Sequence, residues 1–224
     1  MPHKKFLNDY LTGKWPGSPA RGELYNDDPR LGDARLCGTT ASLCGIEAAQ
    51  SGDADLALAL RWDIMLHAFM FTLSGIPVLY SGDEIGQEND NSYHSNPLKA
   101  DDSRYLHRGS LDWRKAALRN TPDTVENDIF SAIKRQEALR AGHAAFDTAA
   151  DTWLLSTGND HVLGIGRFCW GEKLLALFNF PDEEQTVRLD DPTDYTNLWT
   201  GDTATGRVAH LNAGSFLWLA QTIK

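Results

Sequence analysis

The stretch Gly75-Ile76-Pro77-Val78-Leu79-Tyr80-Ser81-Gly82-Asp83-Glu84-Ile85-Gly86 constrains the fold more than any other part of the chain. Its apolar run, residues 76–80, is closed by Gly75 on one side and by Ser81-Gly82 on the other. A short apolar run between turn residues predicts a buried strand that ends in a polar loop. A long apolar helical pattern, residues 54–74, leads directly into it. The predicted unit is therefore helix, tight turn, strand, loop, the building block of a parallel α/β sheet. Functional groups in such sheets gather at the carboxyl ends of strands, which places Asp83 and Glu84 at a rim.

Upstream, residues 4–11 carry a short helical pattern ended by Gly13. Residues 13–39, rich in Gly, Pro, Asp and Asn, read as a loop excursion without apolar repeats. Thr39-Thr40 supplies an N-cap for a helix over 41–50, and Asp53 one for the long helix from Ala54. In that helix Leu60, Ile64, His67 and Phe71 share one face, while Trp62, Met65, Phe69 and Met70 extend the apolar surface nearly all round. His67 reads as a core histidine. Asp123 is expected to cap a helix over 124–141, with Lys134, Arg135 and Arg140 near its carboxyl end, where positive charge complements the helix dipole. Beyond Phe146 the period becomes alternating, over 153–156, 162–168, 174–180, 185–189, 195–199 and 216–219. That pattern predicts an antiparallel β domain. The expected fold class is α/β plus all-β, with one domain over 1–143 and a second over 144–224.

Composition bounds the partners. With 31 acids against 21 bases the formal net charge is −10, so no basic patch is offered to phosphates and nucleic acid is not an expected partner. Arg61, Asp63 and His67 interrupt the longest apolar helix, which excludes it as a membrane span. Cys37, Cys44 and Cys169 lack paired metal-ligand spacing and read as buried free thiols of a reducing, cytoplasmic compartment. No metal and no cofactor is expected.

Downstream of the opening stretch come Ser95-Asn96-Pro97-Leu98-Lys99-Ala100-Asp101-Asp102-Ser103-Arg104-Tyr105 and then His107-Arg108. Together with the Gly75 to Gly86 segment, in this order, they resemble amylosucrase, a branch of the α-amylase superfamily of glycoside hydrolases. The similarity extends from about residue 3 to the carboxyl terminus. The resemblance implies a partial (β/α)8 TIM barrel, its last strand and flanking helices, followed by an antiparallel C-terminal β-sandwich. A whole barrel of this type takes about 250 residues by itself, more than the 224 here.

The activity implied is transfer of glucose from sucrose to α-1,4-glucan by a retaining double displacement, through a covalent glucosyl-enzyme. Sucrose hydrolysis, or another α-glucosidase activity of the superfamily, is the nearest alternative. The catalytic carboxylates of the superfamily lie on strands expected to precede this chain, so no catalytic residue is assigned and the chain alone is expected to be inactive. The resemblance gives Arg104 the role of closing the sugar pocket by pairing with an acid from elsewhere in the barrel. Arg35, in Gly32-Asp33-Ala34-Arg35, would face the acceptor side. Asp83, Glu84, Asp101 and Asp102 are assigned to the rim or to structure. A non-catalytic carbohydrate-binding module, with Trp153, Trp170 or Trp199 stacking on sugars, and a purely structural fragment are the readings from other classes. Sucrose and α-glucan oligosaccharides are the expected partners of the parent enzyme. The open edge beside residues 76–80 is expected to make the chain self-associate, or to need the preceding barrel portion.

Overall fold

In the computed structural model, which describes residues 3–28, 30, 33–189, 194–204 and 207–222, local capping chemistry sets where the helices begin. Helix α1 (His3–Leu11) ends ahead of Gly13, whose φ of 70° suits glycine. The excursion expected at 13–39 is corrected, because it contains an antiparallel hairpin of β1 (Glu23–Asp28) and β2 (Asp33–Cys37). A register shift between Tyr25 and Asp28 and the many polar residues hide its alternation. Thr39 caps α2 (Thr40–Cys44) as expected, but the single helix over 41–50 is split into α2 and α3 (Ile46–Gln50) at Gly45, where φ is 97°. Asp55, not Asp53, caps α4 (Leu56–Thr72), its carboxylate accepting the N–H groups of Ala57 and Leu58 at 2.8 and 3.2 Å. After α5 (Trp113–Leu118), α6 (Val125–Gly142) is capped by the Thr124 hydroxyl, which accepts from Asn127 N at 3.2 Å. Asp123, the expected cap, lies just before it at φ 62°.

Residues 76–80 form no strand. Ile76, Val78 and Tyr80 alternate outward, 86, 77 and 49 % exposed, so the strand-like period is there but the burial is not. Among the described residues no backbone hydrogen bond joins 76–79 to a second strand. A strand is defined by its ladder, and an apolar run buries itself only when neighbours flank it.

Contacts divide the chain into two compact units, Met1–Asp63 with Leu79–Ser131 and Ile64–Val78 with Ala132–Lys224. Helices α4 and α6 each contribute to both. The second unit contains β3 (Asp151–Leu155), β4 (Val162–Cys169), β5 (Glu172–Asn179), β6 (Gln185–Arg188), β7 (Tyr195–Asn197), β8 (Thr203–Ala204), β9 (Val208–Leu211) and β10 (Phe216–Thr222). Six strands form one antiparallel sheet in the order β3-β4-β5-β10-β7-β8, and β6 pairs with β9 in a second. The antiparallel C-terminal architecture is as the alternation predicts. Strands β8 and β9 were not expected; β8 spans two residues, too few to show a period. Trp170 and Gly171, at φ 44° and 84°, join β4 to β5 in a two-residue turn whose twist matches the strands it connects.

Register assigns the faces of the large sheet. Arg167, Leu174 and Ala220 lie side by side across β4, β5 and β10, as do Ile165, Ala176 and Trp218. This face packs on helical residues, with Phe69 edge-on to Phe178 at 5.3 Å and Phe146 against Trp218 at 4.9 Å. The opposite face, with Leu175, Leu177 and Leu219, meets Val187, Ala209 and Leu211 of the second sheet in an apolar core.

Arg167 is fully buried, an unusual place for a guanidinium. It donates to the carbonyls of Thr72, Ala145 and Asp147, each at 2.7 Å, and to Ser74 Oγ at 3.3 Å. Burial, and then the charge of Arg140, push its pKa down. Arg167→Met would strip the carbonyls of Thr72 and Ala145 of this donor, at about 1–3 kcal/mol each, while Asp147 O keeps the Ala150 N–H at 3.1 Å. The expected loss is about 3 kcal/mol or more, read as a lower urea midpoint at unchanged slope, with Arg167→Lys recovering part of it.

Candidate functional site

The site residues of the first unit are placed by Asn89 and Ser103. Asn89 accepts the Thr39 N–H at 2.9 Å, donates its side-chain amide to Arg21 O at 2.5 Å, and gives its own N–H to Ser42 Oγ at 2.9 Å. It thereby fastens the segment after Gly86 to both flanks of the hairpin. Ser103 Oγ donates to Leu24 O at 2.9 Å, docking the 3₁₀ turn Ser103–His107 on β1.

Arg104 is thus carried over the Tyr25 ring, its guanidinium carbon 4.7 Å from the centroid. Its fork is occupied: Nε donates to Asp102 Oδ1 at 2.8 Å and Nη2 to Oδ2 at 2.7 Å. Asp102 also caps the turn by accepting Arg104 N at 3.1 Å. Within this chain the acid that holds Arg104 lies two residues away and reaches it because the 3₁₀ turn folds the segment back. The hydrogen bond from Arg104 holds the Asp102 carboxyl at about 2, and the same contact raises the guanidinium pKa. Arg35, exposed on β2, stands directly across from Tyr25, so the two share one hairpin face. Tyr25 therefore brings the two predicted arginines into one cluster. Gly32 of the Arg35 motif lies outside the described residues.

The acids separate into two groups. Asp83 accepts from Tyr80 N at 3.1 Å and Thr40 Oγ1 at 3.2 Å, and Glu84 accepts from Gly82 N at 2.9 Å. Both carboxylates are spent on the backbone and hydroxyl groups of their own loop and its neighbour. Asp101 is exposed, one residue ahead of the Asp102 cap.

Sequence reasoning missed the other half of the cluster. Glu23 on β1 accepts from the Tyr93 hydroxyl and pairs with His94 Nε2 at 2.8 Å. Tyr93 is buried, and desolvation followed by the Glu23 carboxylate raises its pKa. Cys37, opposite Glu23 on β2, is raised mainly by burial. No one-dimensional signal links positions 23 and 93, whose contact depends on the hairpin that carries Glu23. Among the described residues no His, Cys, Asp and Glu cluster could hold a metal ion.

The chain matches no protein-family model. Solved structures do share its fold. An α-amylase from Anoxybacillus matches with a TM-score of 0.58 at 18% identity, over 84% of this chain and 36% of that one. AmyP in complex with maltose gives 0.62 at 18% identity, over 81% and 38%. The fold is that of α-amylase-type structures. Trehalose-6-phosphate hydrolase of Bacillus licheniformis agrees, at 0.54 and 19% identity over 72% of this chain and 39% of its own. The chain spans little more than a third of the length of these α-amylase-type structures.

A pH titration tests the Arg104 and Asp102 geometry. Because Asp102 is held below its unfolded value of 3.8, its ionised form stabilises the fold above about pH 4, and that contribution fades as pH falls through about 2. Carboxyl carbon NMR should place the Asp102 midpoint near 2, and in Arg104→Ala it should return towards the ordinary aspartate range.

Proposed function

We propose that this chain supplies part of the sugar-binding wall of an α-amylase-type enzyme that transfers glucose from sucrose to α-1,4-glucan by a retaining double displacement. The observation that carries the reading is the Arg104 guanidinium, locked by Asp102 and laid on Tyr25 beside Arg35. A fork held on one side by a carboxylate keeps its outer N–H groups fixed in direction, and fixed donors are what a neutral sugar hydroxyl requires. Arg104 and Arg35 contact the sugar in this reading. Asp83, Glu84, Asp101 and Asp102 shape the rim, and the catalytic carboxylates come from the remainder of the enzyme. Hydrolysis of sucrose or of another α-glucoside uses the same wall; the likeness to AmyP bound to maltose and to a trehalose-6-phosphate hydrolase favours it as the second reading. No helix among the described residues is long and apolar enough to cross a membrane. Three buried free thiols support a reducing, cytoplasmic setting.

Two measurements test this. The purified chain should release neither glucose nor fructose from sucrose above a buffer blank. In an enzyme that carries this chain, Arg104→Ala should lower kcat/KM on sucrose about 100-fold or more, since a misplaced positioning group costs that order. Arg104→Lys should not restore it, because an ammonium lacks the fork. An unchanged kcat/KM would make Arg104 an ordinary loop residue.

A further inference from the structure

The segment that follows α4 leaves one backbone edge open. In an extended run the N–H and C=O groups of alternate residues point to opposite edges, so residues 75, 77 and 79 share one edge and residues 76, 78 and 80 the other. The first edge is spent, because Gly75 O accepts from Arg140 at 2.8 Å and Pro77 has no N–H to give. The second closes at Tyr80, whose N–H goes to the Asp83 carboxylate at 3.1 Å and whose carbonyl accepts Asp83 N at 3.0 Å. Ile76 and Val78 lie ahead of that stop. Among the described residues no hydrogen bond reaches their backbone.

Both side chains stand in solvent. Exposed strand edges are normally blunted by a charge, a bulge or a covering element. Residues 73–82 contain no Asp, Glu, Lys or Arg, although the chain as a whole carries a net charge of −10. Two copies repel each other over most of their surface, and this uncharged, apolar stretch is where they approach with least repulsion.

We propose that a second copy of this chain covers the edge, in a twofold antiparallel pairing centred on Pro77. Ile76 of one copy faces Val78 of the other, the two exchanging both N–H···O=C bonds, and Val78 and Ile76 repeat the exchange across the axis. Pro77 then stands opposite its own counterpart at a non-hydrogen-bonded position, where its missing N–H is not needed. The edge is thus its own complement: two usable residues, separated by one, meet the same pattern in the same register. The Ile76 and Val78 side chains of both copies share one face of the ribbon. So short a pairing buries less than the roughly 1,200 Å² at which stable interfaces begin, so the dimer is weak and forms at high protein concentration. This surface has no part in the sugar reading.

Sedimentation equilibrium of the full chain tests the dimer, and cysteine cross-linking tests its register. The average mass should rise from that of the monomer towards twice that value between about 20 μM and about 1 mM. Val78→Lys, at a solvent-facing position that leaves the melting temperature unchanged, should stay monomeric over the same range, because it sets a charge against the partner's edge. In a non-hydrogen-bonded pair the Cα atoms are about 4.5 Å apart, within the span of a disulfide, whereas residue 76 meets its own counterpart only on the diagonal, at about 7–8 Å. The three native thiols are buried. Under one mild oxidant Pro77→Cys should therefore form covalent dimer at least about tenfold faster than Ile76→Cys. A monomer throughout the range, a dimer that persists in Val78→Lys and so lies on another surface, or equal cross-linking of the two cysteine variants would overturn the proposal.

Discussion

The carbonyl end of α4 is gripped by two guanidinium groups, and the packing of the second unit depends on that grip. Arg140 from α6 donates to Phe71 O, and to Gly75 O at 2.8 Å, while Arg167 from β4 takes Thr72 O at 2.7 Å. The last carbonyls of a helix have no partner within it and carry the negative end of its dipole, so positive groups satisfy hydrogen bonding and charge together. Both arginines have pKa values lowered by burial, yet the dipole and the carbonyls keep them tolerable in place. Thr72 extends the set, because its hydroxyl accepts the Trp218 indole N–H at 2.9 Å and donates to Ala68 O at 2.8 Å. One helix terminus thereby fixes the middle of the large sheet, through Trp218, and the turn Ala144–Phe146, through Arg167.

This constraint decides what could be read without coordinates. Alternation and turn residues located most of the antiparallel strands from 151 onwards, β8 and β9 excepted, because the central strands have one face against helical residues and the other against a second sheet. The same reasoning misjudged residues 76–80. Their pattern is that of a strand, but pattern states only that a strand could form; a ladder needs a second chain segment, and periodicity says nothing of whether one is there. Helix starts were missed by one or two residues where two candidate caps competed, Asp53 with Asp55 and Asp123 with Thr124. Proximity of a suitable side chain to the first turn is settled by backbone conformation.

The candidate site was half legible. Arg104, Asp102 and Arg35 were singled out from their motifs, and the fold gathers them round Tyr25. Glu23, Tyr93 and His94 carried no motif, and their contact arises only because the hairpin brings residue 23 against the turn that begins at Asn91. The Asp102 carboxylate on Arg104 follows from the local 3₁₀ turn, which presents that acid to the guanidinium two residues on.

Strand β10 sits between β5 and β7 in the middle of the large sheet, although it follows the other strands of that sheet in the chain. During translation the β3-β4-β5 meander therefore waits with an open, apolar edge until β10 has left the ribosome. Its pairing with β5 then closes a long loop of chain in one step, which is the slow kind of contact to form. A nascent chain stalled before residue 216 would expose that edge to other chains, so the sheet is most vulnerable to co-translational aggregation in the interval before β10 joins it.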